Sequence, residues 1–206
     1  MTHMNVTELV PGRTAGAAPC ACWVCQTPLS ARAAFCHDCG TIQPNRGLDH
    51  FTRLGLERRF DVGRDTLDGR YTALMRIFKA ERLSAKGPRQ KQLASDQLSA
   101  VEEAYAELCC PVRRATYMLS LMGEAVAEEA QADAVATELN SELATAADAA
   151  AIDRVAFKAS HGVELAIREL SAAFRQQSYG EVAIILARLA QLEDIAASAR
   201  ARRSSF

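Results

Sequence analysis

The sequence has few aromatic residues and almost no net charge. Phe, Tyr and Trp together make up 6% of its 206 residues, and the dominance of alanine and leucine favours helices over sheets. The formal net charge of −1 gives no strong field to attract nucleic acid or a membrane surface. No apolar run approaches the ~20 residues that a membrane-spanning helix needs. We therefore expect neither nucleic acid nor a membrane as a partner.

The sequence also lacks a secretory signal and a recognisable catalytic pattern. Residues 1–19 carry Glu8 and Arg13 and no uninterrupted apolar stretch, so they are predicted to form a disordered tail, with a mitochondrial presequence as the weaker alternative. The four histidines are scattered along the chain, and there is neither a glycine-rich phosphate loop nor a Ser/His/Asp arrangement. We predict that the protein is not an enzyme and has no catalytic residues.

Cysteine is abundant in one short segment. Five of the seven cysteines lie between residues 20 and 39, and in a chain without an export signal such clustering indicates metal ligands rather than disulfides. Two Cys-x-x-Cys pairs separated by ten residues supply four thiolates: Cys22, Cys25, Cys36 and Cys39. Four cysteines suit tetrahedral Zn²⁺ and leave no open position for catalysis. We predict a structural zinc site, with Cys20 and His37 as bystanders.

A zinc ribbon that binds nucleic acid is the alternative, but the basic and aromatic residues that such a ribbon needs are missing around the two pairs. The adjacent Cys109 and Cys110 precede Pro111, and we expect them to be buried packing residues rather than a redox pair.

The rest of the chain shows helical periodicity. We predict an all-α protein in which a disordered tail (1–19) and a small four-cysteine zinc ribbon (20–46) precede a helical-hairpin domain (47–122) and a three-helix bundle (126–206). Helix ends are expected at Pro111 and Gly123, and breaks near Ala149–Asp153 and at Ser178. Ser178 and Glu181 have the spacing of a capping box.

The order of these motifs resembles the HscB-type co-chaperones of iron–sulfur cluster assembly over residues 20 to about 200. Four groups of residues carry the resemblance: Cys22-Trp23 to Cys25, Phe35-Cys36 to Cys39, Ile42-Gln43-Pro44 and Asp49-His50-Phe51 in the ribbon; Gly55-Leu56, Arg59-Phe60, Leu67 and Arg70-Tyr71 in the first two helices of a J-domain; Ala104-Tyr105, Leu108, Pro111, Arg113-Arg114-Ala115 and Tyr117-Met118-Leu119 in its third helix and linker; Phe174 and Tyr179-Gly180-Glu181-Val182-Ala183 in the last hairpin of the bundle.

The resemblance implies a co-chaperone of the bacterial cytoplasm, or of the mitochondrial matrix in a eukaryote. Such a protein would bind a DnaK/HscA-class chaperone through the J-domain and an IscU-type scaffold protein through the bundle. It would deliver the scaffold and modulate hydrolysis of ATP by the chaperone.

The J-domain signature departs from the family. Where the family has His-Pro-Asp, this chain has Lys79, Ala80 and Glu81. Because alanine favours a helix where proline would break it, we expect the second helix to continue through Leu83 and stimulation of the chaperone to be weak. A basic face formed by Arg70, Arg76, Lys79 and Arg82 is the candidate surface for chaperone docking, with a plain solvated face as the alternative.

The scaffold-binding face is also altered. The apolar patch of the family aligns with Asp133, Ala134 and Thr137, followed by Glu138, and its aromatic residue on the last helix aligns with Gln191. Losing apolar contacts at the centre of an interface commonly costs ~1 kcal/mol or more for each contact. We therefore also consider an adaptor or regulator that binds partners without driving ATP hydrolysis, and a thiol or metal sensor that uses the cysteine cluster.

Overall fold

The computed structural model describes residues 20–79, 87–124 and 133–205. This part of the chain contains two short strands and seven helices: β1 (Cys20–Ala21), β2 (Pro28–Leu29), α1 (His50–Arg53), α2 (Arg64–Phe78), α3 (Pro88–Cys109), α4 (Pro111–Met122), α5 (Ala134–Thr145), α6 (Ala149–Arg175) and α7 (Tyr179–Arg203). The predicted all-α class with an N-terminal cysteine ribbon is confirmed. The predicted tail, residues 1–19, lies outside the described residues.

The chain divides into two compact units. The first comprises the residues up to Arg58 together with Val62–Cys109, and the second comprises Arg59–Asp61 together with the residues from Cys110 onwards. The domain boundaries given above stay predictions, because a compact unit and an independently folding domain are different properties.

The first unit combines the ribbon with a helical hairpin. Strands β1 and β2 pair antiparallel, with Cys20 opposite Leu29. Helices α2 and α3 run antiparallel, since the Tyr105 hydroxyl near the end of α3 accepts from the Arg64 guanidinium at the start of α2 at 3.2 Å. The Tyr105 ring stacks on Tyr71 in the middle of α2 at 4.2 Å between ring centroids. The Tyr105 hydroxyl also donates to the carboxylate of Asp68 at 2.7 Å.

Helix α2 ends earlier than predicted. Lys79 has φ −56° and ψ 136°, so the helix stops at Phe78 rather than continuing through Leu83. Phe78 is buried and stacks on Phe35 of the ribbon at 5.4 Å. Helix propensities differ by only a few tenths of a kcal/mol for most residues, so tertiary packing decides where this helix ends. Residues 80–83 lie outside the described part.

The second unit contains α4 and a bundle of α5, α6 and α7. Helix α4 ends at Gly123, whose φ of 77° and backbone bonds to Leu119 and Ser120 confirm the predicted C-terminal signal. Pro111 stands at the first turn of α4, directly after α3, and the adjacent Cys109 and Cys110 are half-buried rather than fully buried. The bundle core consists of small and branched side chains, among them Ala136, Leu139, Ile152, Leu192 and Ile195.

Two local expectations for the bundle need correction. The break between α5 and α6 falls at 146–148, before the predicted Ala149–Asp153, because Asp148 caps α6 by accepting from the backbone N–H of Ala151 at 2.6 Å. Helix α7 does begin after Ser178, but the side chain of Ser178 makes no capping bond. Its ψ of 67° lies outside the extended geometry of a serine cap.

Candidate metal centre and partner surfaces

The four predicted ligand sulfurs meet at one point. The sulfurs of Cys22, Cys25, Cys36 and Cys39 all lie within 4.8 Å of one another. The Cys22–Cys39 and Cys25–Cys36 pairs are each 3.6 Å apart, Sγ to Sγ. A tetrahedral ion with metal–sulfur bonds of about 2.3 Å would hold its sulfurs about 3.8 Å apart. The cluster therefore fits a four-cysteine metal ribbon.

The two cysteine pairs sit in turns of the same design. In the first, Gln26 has φ 63° and its N–H donates to the Cys22 carbonyl at 3.0 Å; in the second, Gly40 has φ 68° and donates to the Cys36 carbonyl at 3.0 Å. A threonine two residues after each pair then contacts the second sulfur of that pair: Thr27 lies 3.2 Å from Cys25 Sγ and Thr41 lies 3.2 Å from Cys39 Sγ. The repeated Cys-x-Thr spacing is the sequence signal from which these threonines could have been predicted.

The surroundings move the thiol pKa values in different directions. Burial works to raise the pKa of Cys22, but backbone bonds from Cys25 and Val24 and side-chain bonds from Cys25 and Gln43 outweigh it and lower the pKa to about 6. Cys36 receives backbone bonds from Cys39 and Asp38 that lower its pKa, yet burial and the neighbouring thiols raise it to about 11. A bound cation would favour the deprotonated form of all four.

Cys20 and His37 are not part of the sulfur cluster. The thiol of Cys20 donates to the Leu29 carbonyl at 3.3 Å and is contacted by the Arg46 guanidinium. His37 is exposed.

The predicted chaperone-facing residues are described only in part. Lys79 is exposed where the chain leaves α2, whereas Ala80, Glu81 and Arg82 lie outside the described residues. Arg76 is exposed on α2, but Arg70 is half-buried and lines a cavity of about 730 Å³ within the first unit. At about 100° of rotation per residue, Arg70 and Arg76 point in directions about 120° apart. Their role in docking stays a prediction.

The predicted scaffold-facing residues lie around the start of α5. Ala134, Thr137 and Glu138 are exposed. Asp133 caps α5 by accepting from the backbone N–H groups of Val135 and Ala136, and its own N–H donates to the side-chain oxygen of Gln191 at 3.2 Å. Asp133 and Gln191 are thus brought together, although 58 positions separate them. Their role in binding also stays a prediction.

Comparison with known proteins gives consistent matches. The co-chaperone protein HscB of Proteus mirabilis is 37% identical over 84 residues, covering 41% of this chain and 49% of that protein. The human iron–sulfur cluster co-chaperone protein HscB is 26% identical over 184 residues, covering 84% of this chain and 78% of that protein. The chain therefore spans about half the length of the bacterial relative that it matches. No protein-family model matches.

The same fold occurs in a solved structure. The crystal structure of human co-chaperone protein HscB superimposes with a TM-score of 0.79 at 23% identity, covering 90% of this chain and 100% of that chain. A helical hairpin and a bundle behind a four-cysteine cluster define the class as an all-α fold whose N-terminal ribbon could hold a metal ion. The sequence matches support the HscB-type family for this chain, and the solved structure shows that the fold is shared. Among the described residues no helix is long and apolar enough to cross a membrane.

Proposed function

We propose that the protein is a J-type co-chaperone in iron–sulfur cluster assembly, which presents a scaffold protein to a DnaK/HscA-class chaperone. The observation that carries this proposal is the match over 184 residues, 84% of this chain, to the human protein named as an iron–sulfur cluster co-chaperone. The relatives are named as co-chaperones rather than as enzymes. We place this activity in a bacterial cytoplasm or, in a eukaryote, in the mitochondrial matrix.

The metal at the ribbon is proposed to be structural Zn²⁺. Cys22, Cys25, Cys36 and Cys39 would hold it through four thiolates, and such a set leaves no coordination position for a substrate. The ion would supply folding free energy to a segment that buries little apolar surface of its own. The bound ion would act as a cross-link between the two cysteine turns.

Chaperone stimulation is proposed to be weak. Helix α2 ends at Phe78 without the proline of the family signature, because Lys79 is already extended. The weakness is therefore attributed to side-chain chemistry: a lysine replaces an imidazole, and the longer, more mobile side chain of glutamate replaces aspartate. The basic residues Arg70, Arg76 and Arg82 are proposed to add attraction to an acidic chaperone surface.

A second function has support from the same residues. An adaptor that binds partners without stimulating ATP hydrolysis is favoured by the loss of the tripeptide and by the small or polar side chains on the exposed start of α5, where Ala134 and Thr137 lie. Both functions predict binding to the chaperone. They differ in whether hydrolysis of ATP follows.

Restoring apolar residues on α5 tests the scaffold part of the proposal. The Ala134→Met/Thr137→Leu variant keeps Asp133 and its cap, and both positions are exposed, so the fold is expected to remain intact. We expect binding to an IscU-type scaffold, measured by titration calorimetry, to tighten at least tenfold, since two interface contacts are regained. The matched control is Ser120→Leu, an exposed position on α4, which should leave the affinity unchanged. Equal affinities for all three proteins would contradict a scaffold site on α5.

A further inference from the structure

Two buried glutamine side chains, Gln97 and Gln43, connect the hairpin to the metal centre by hydrogen bonds. Gln97 on α3 is 6% exposed and its amide nitrogen donates to the Gln43 carbonyl at 3.0 Å. Its side-chain oxygen accepts from the Arg53 guanidinium at 3.4 Å. These two partners fix the orientation of the Gln97 amide. If its oxygen and nitrogen were exchanged, the NH₂ group would face the Arg53 guanidinium, a donor, and the oxygen would face the Gln43 carbonyl, an acceptor.

Gln43 in turn contacts Cys22, one of the predicted metal ligands. It is fully buried, and its amide nitrogen lies 3.0 Å from the Thr41 carbonyl and 3.4 Å from Cys22 Sγ. Its two N–H groups thus have one acceptor each, and its oxygen accepts from Arg46 at 3.5 Å. A fully buried amide with these partners has no freedom to turn away from the sulfur, since any other orientation would leave buried polar atoms unpaired.

Cys22 is the ligand that receives the most support from outside its own turn. Its sulfur accepts from the Val24 N–H at 3.4 Å within the turn and from Gln43 across the fold. Four thiolates carry more negative charge than one divalent ion neutralises, so donors to a sulfur stabilise the loaded centre. Donors of this kind also orient the ligand before the metal arrives.

We propose that Gln43 and Gln97 are positioning residues for the metal centre, and that through them metal retention and folding of the α2–α3 hairpin are coupled. The hairpin would hold Gln97, Gln97 would hold the backbone of Gln43, and Gln43 would hold the sulfur of Cys22. By linkage, loss of the metal should loosen α3 around Gln97, and loss of Gln97 should weaken metal binding. This inference does not depend on the co-chaperone proposal and is tested without a partner.

The test compares three Gln→Met variants of the full chain. Met keeps the length and unbranched shape of Gln and has a similar helix propensity, so packing is disturbed little. Gln43→Met removes the donor to Cys22, and Gln97→Met removes the donor to Gln43. Gln92→Met is the matched control, because Gln92 is exposed on α3 and donates to Asp96.

Zinc affinity is measured by competition with a chromogenic chelator. Loss of a supporting hydrogen bond to a ligand typically weakens metal binding about 10- to 100-fold, and we expect this for Gln43→Met, a smaller loss for Gln97→Met and no change for Gln92→Met. The cobalt-substituted protein supplies a second readout. Its sulfur-to-cobalt charge-transfer band should move to longer wavelength in Gln43→Met, because a thiolate without its donor is easier to oxidise; a purely structural role of Gln43 would leave the band in place.

Hydrogen exchange tests the coupling itself. Removing the metal from the native protein with a chelator should speed exchange of the α3 amides around Gln97, and this effect should largely vanish in Gln97→Met. If Gln43→Met does not fold, Gln97→Met alone still decides the matter, since it touches no ligand. The inference is overturned if Gln97→Met retains zinc as tightly as Gln92→Met, or if metal removal leaves exchange in α3 unchanged.

Discussion

At the scale of single residues, the ribbon contains five cysteines of which four form the cluster. Cys22→Ser should abolish stoichiometric zinc binding, because a serine hydroxyl is a poor ligand for Zn²⁺ and three thiolates leave the tetrahedral set incomplete. Cys20→Ser is the control and should retain one zinc per chain, since Cys20 lies outside the cluster. Metal analysis of the purified, desalted variants measures this. Loss of zinc from Cys20→Ser would contradict the assignment of the ligands.

Asp49 gives the ribbon-to-hairpin connection a dependence on pH. Burial works to raise the pKa of Asp49, but hydrogen bonds from Arg58 and Thr52 outweigh it and lower the pKa below its ordinary value. A carboxylate with a lowered pKa stabilises the fold above its unfolded pKa of about 3.9, and this contribution is lost as the pH falls through the folded pKa.

Asp49→Asn should therefore flatten the acid limb of the stability profile. The asparagine can still cap α1 at Thr52, but it loses the charge that faces Arg58. Because the Arg58 side chain is largely exposed, we expect less than about 1 kcal/mol at neutral pH. Denaturant unfolding followed by Trp23, the single tryptophan and a ribbon residue, measures this between pH 7 and pH 2. Asp65→Asn is a control in an exposed position at the start of α2. If the free energy of unfolding of Asp49→Asn changes with pH in parallel with that of the native protein, the prediction is wrong.

At the scale of elements, α6 packs tightly against α7 at Gly162. A Cβ atom there would lie 3.0 Å from the Cδ1 atom of Leu192, which is itself 1% exposed and has little room to move. Gly162→Val should destabilise the bundle by about 1–3 kcal/mol, as overpacking of a core does.

Gly180→Ala near the start of α7 is the matched control. Nothing lies within 4 Å of its added Cβ, and alanine is the better helix former, so it should not destabilise the bundle. Far-UV circular dichroism during urea unfolding measures both variants. A Gly162→Val bundle as stable as the native one would show that α7 can shift away from α6.

The elements also show what sequence reasoning reached and what it missed. The cysteine cluster follows from local spacing, and Gly123 and Pro111 mark helix ends by their own backbone limits, so these were predictable. The end of α2 was not, because Phe78 packs on Phe35 from a distant part of the chain and this contact outweighs local helix propensity. The capping box at Ser178 matched in spacing but not in backbone conformation.

The roles of Gln43 and Gln97 beside the metal centre also could not be predicted from the sequence, because they too depend on a long-range contact. Gln97 lies 54 positions from Gln43, and a glutamine on a helix carries no local sign that it is buried. Only the packing of α3 against the ribbon brings the two together. The pairing of Asp133 with Gln191 is hidden from the sequence in the same way.

At the scale of the whole molecule, the fold and the proposed activity rest on different residues. The fold and the cysteine cluster follow from the geometry and from the matches to HscB proteins, whereas the proposed weak stimulation of a chaperone follows from three side chains at positions 79–81. Restoring the family tripeptide in the intact chain tests the activity separately from the fold, because it changes neither the ribbon nor the bundle.

The co-chaperone function is tested most directly by single-turnover ATP hydrolysis by a DnaK/HscA-class chaperone, with the native protein and with the Lys79→His/Ala80→Pro/Glu81→Asp variant. We predict weak stimulation by the native protein and clearly stronger stimulation by the variant, because helix α2 already ends at Phe78 and does not need to be broken. Strong stimulation by both would show that the tripeptide is not limiting. Stimulation by neither, with both proteins folded and loaded with zinc, would contradict the proposed co-chaperone function.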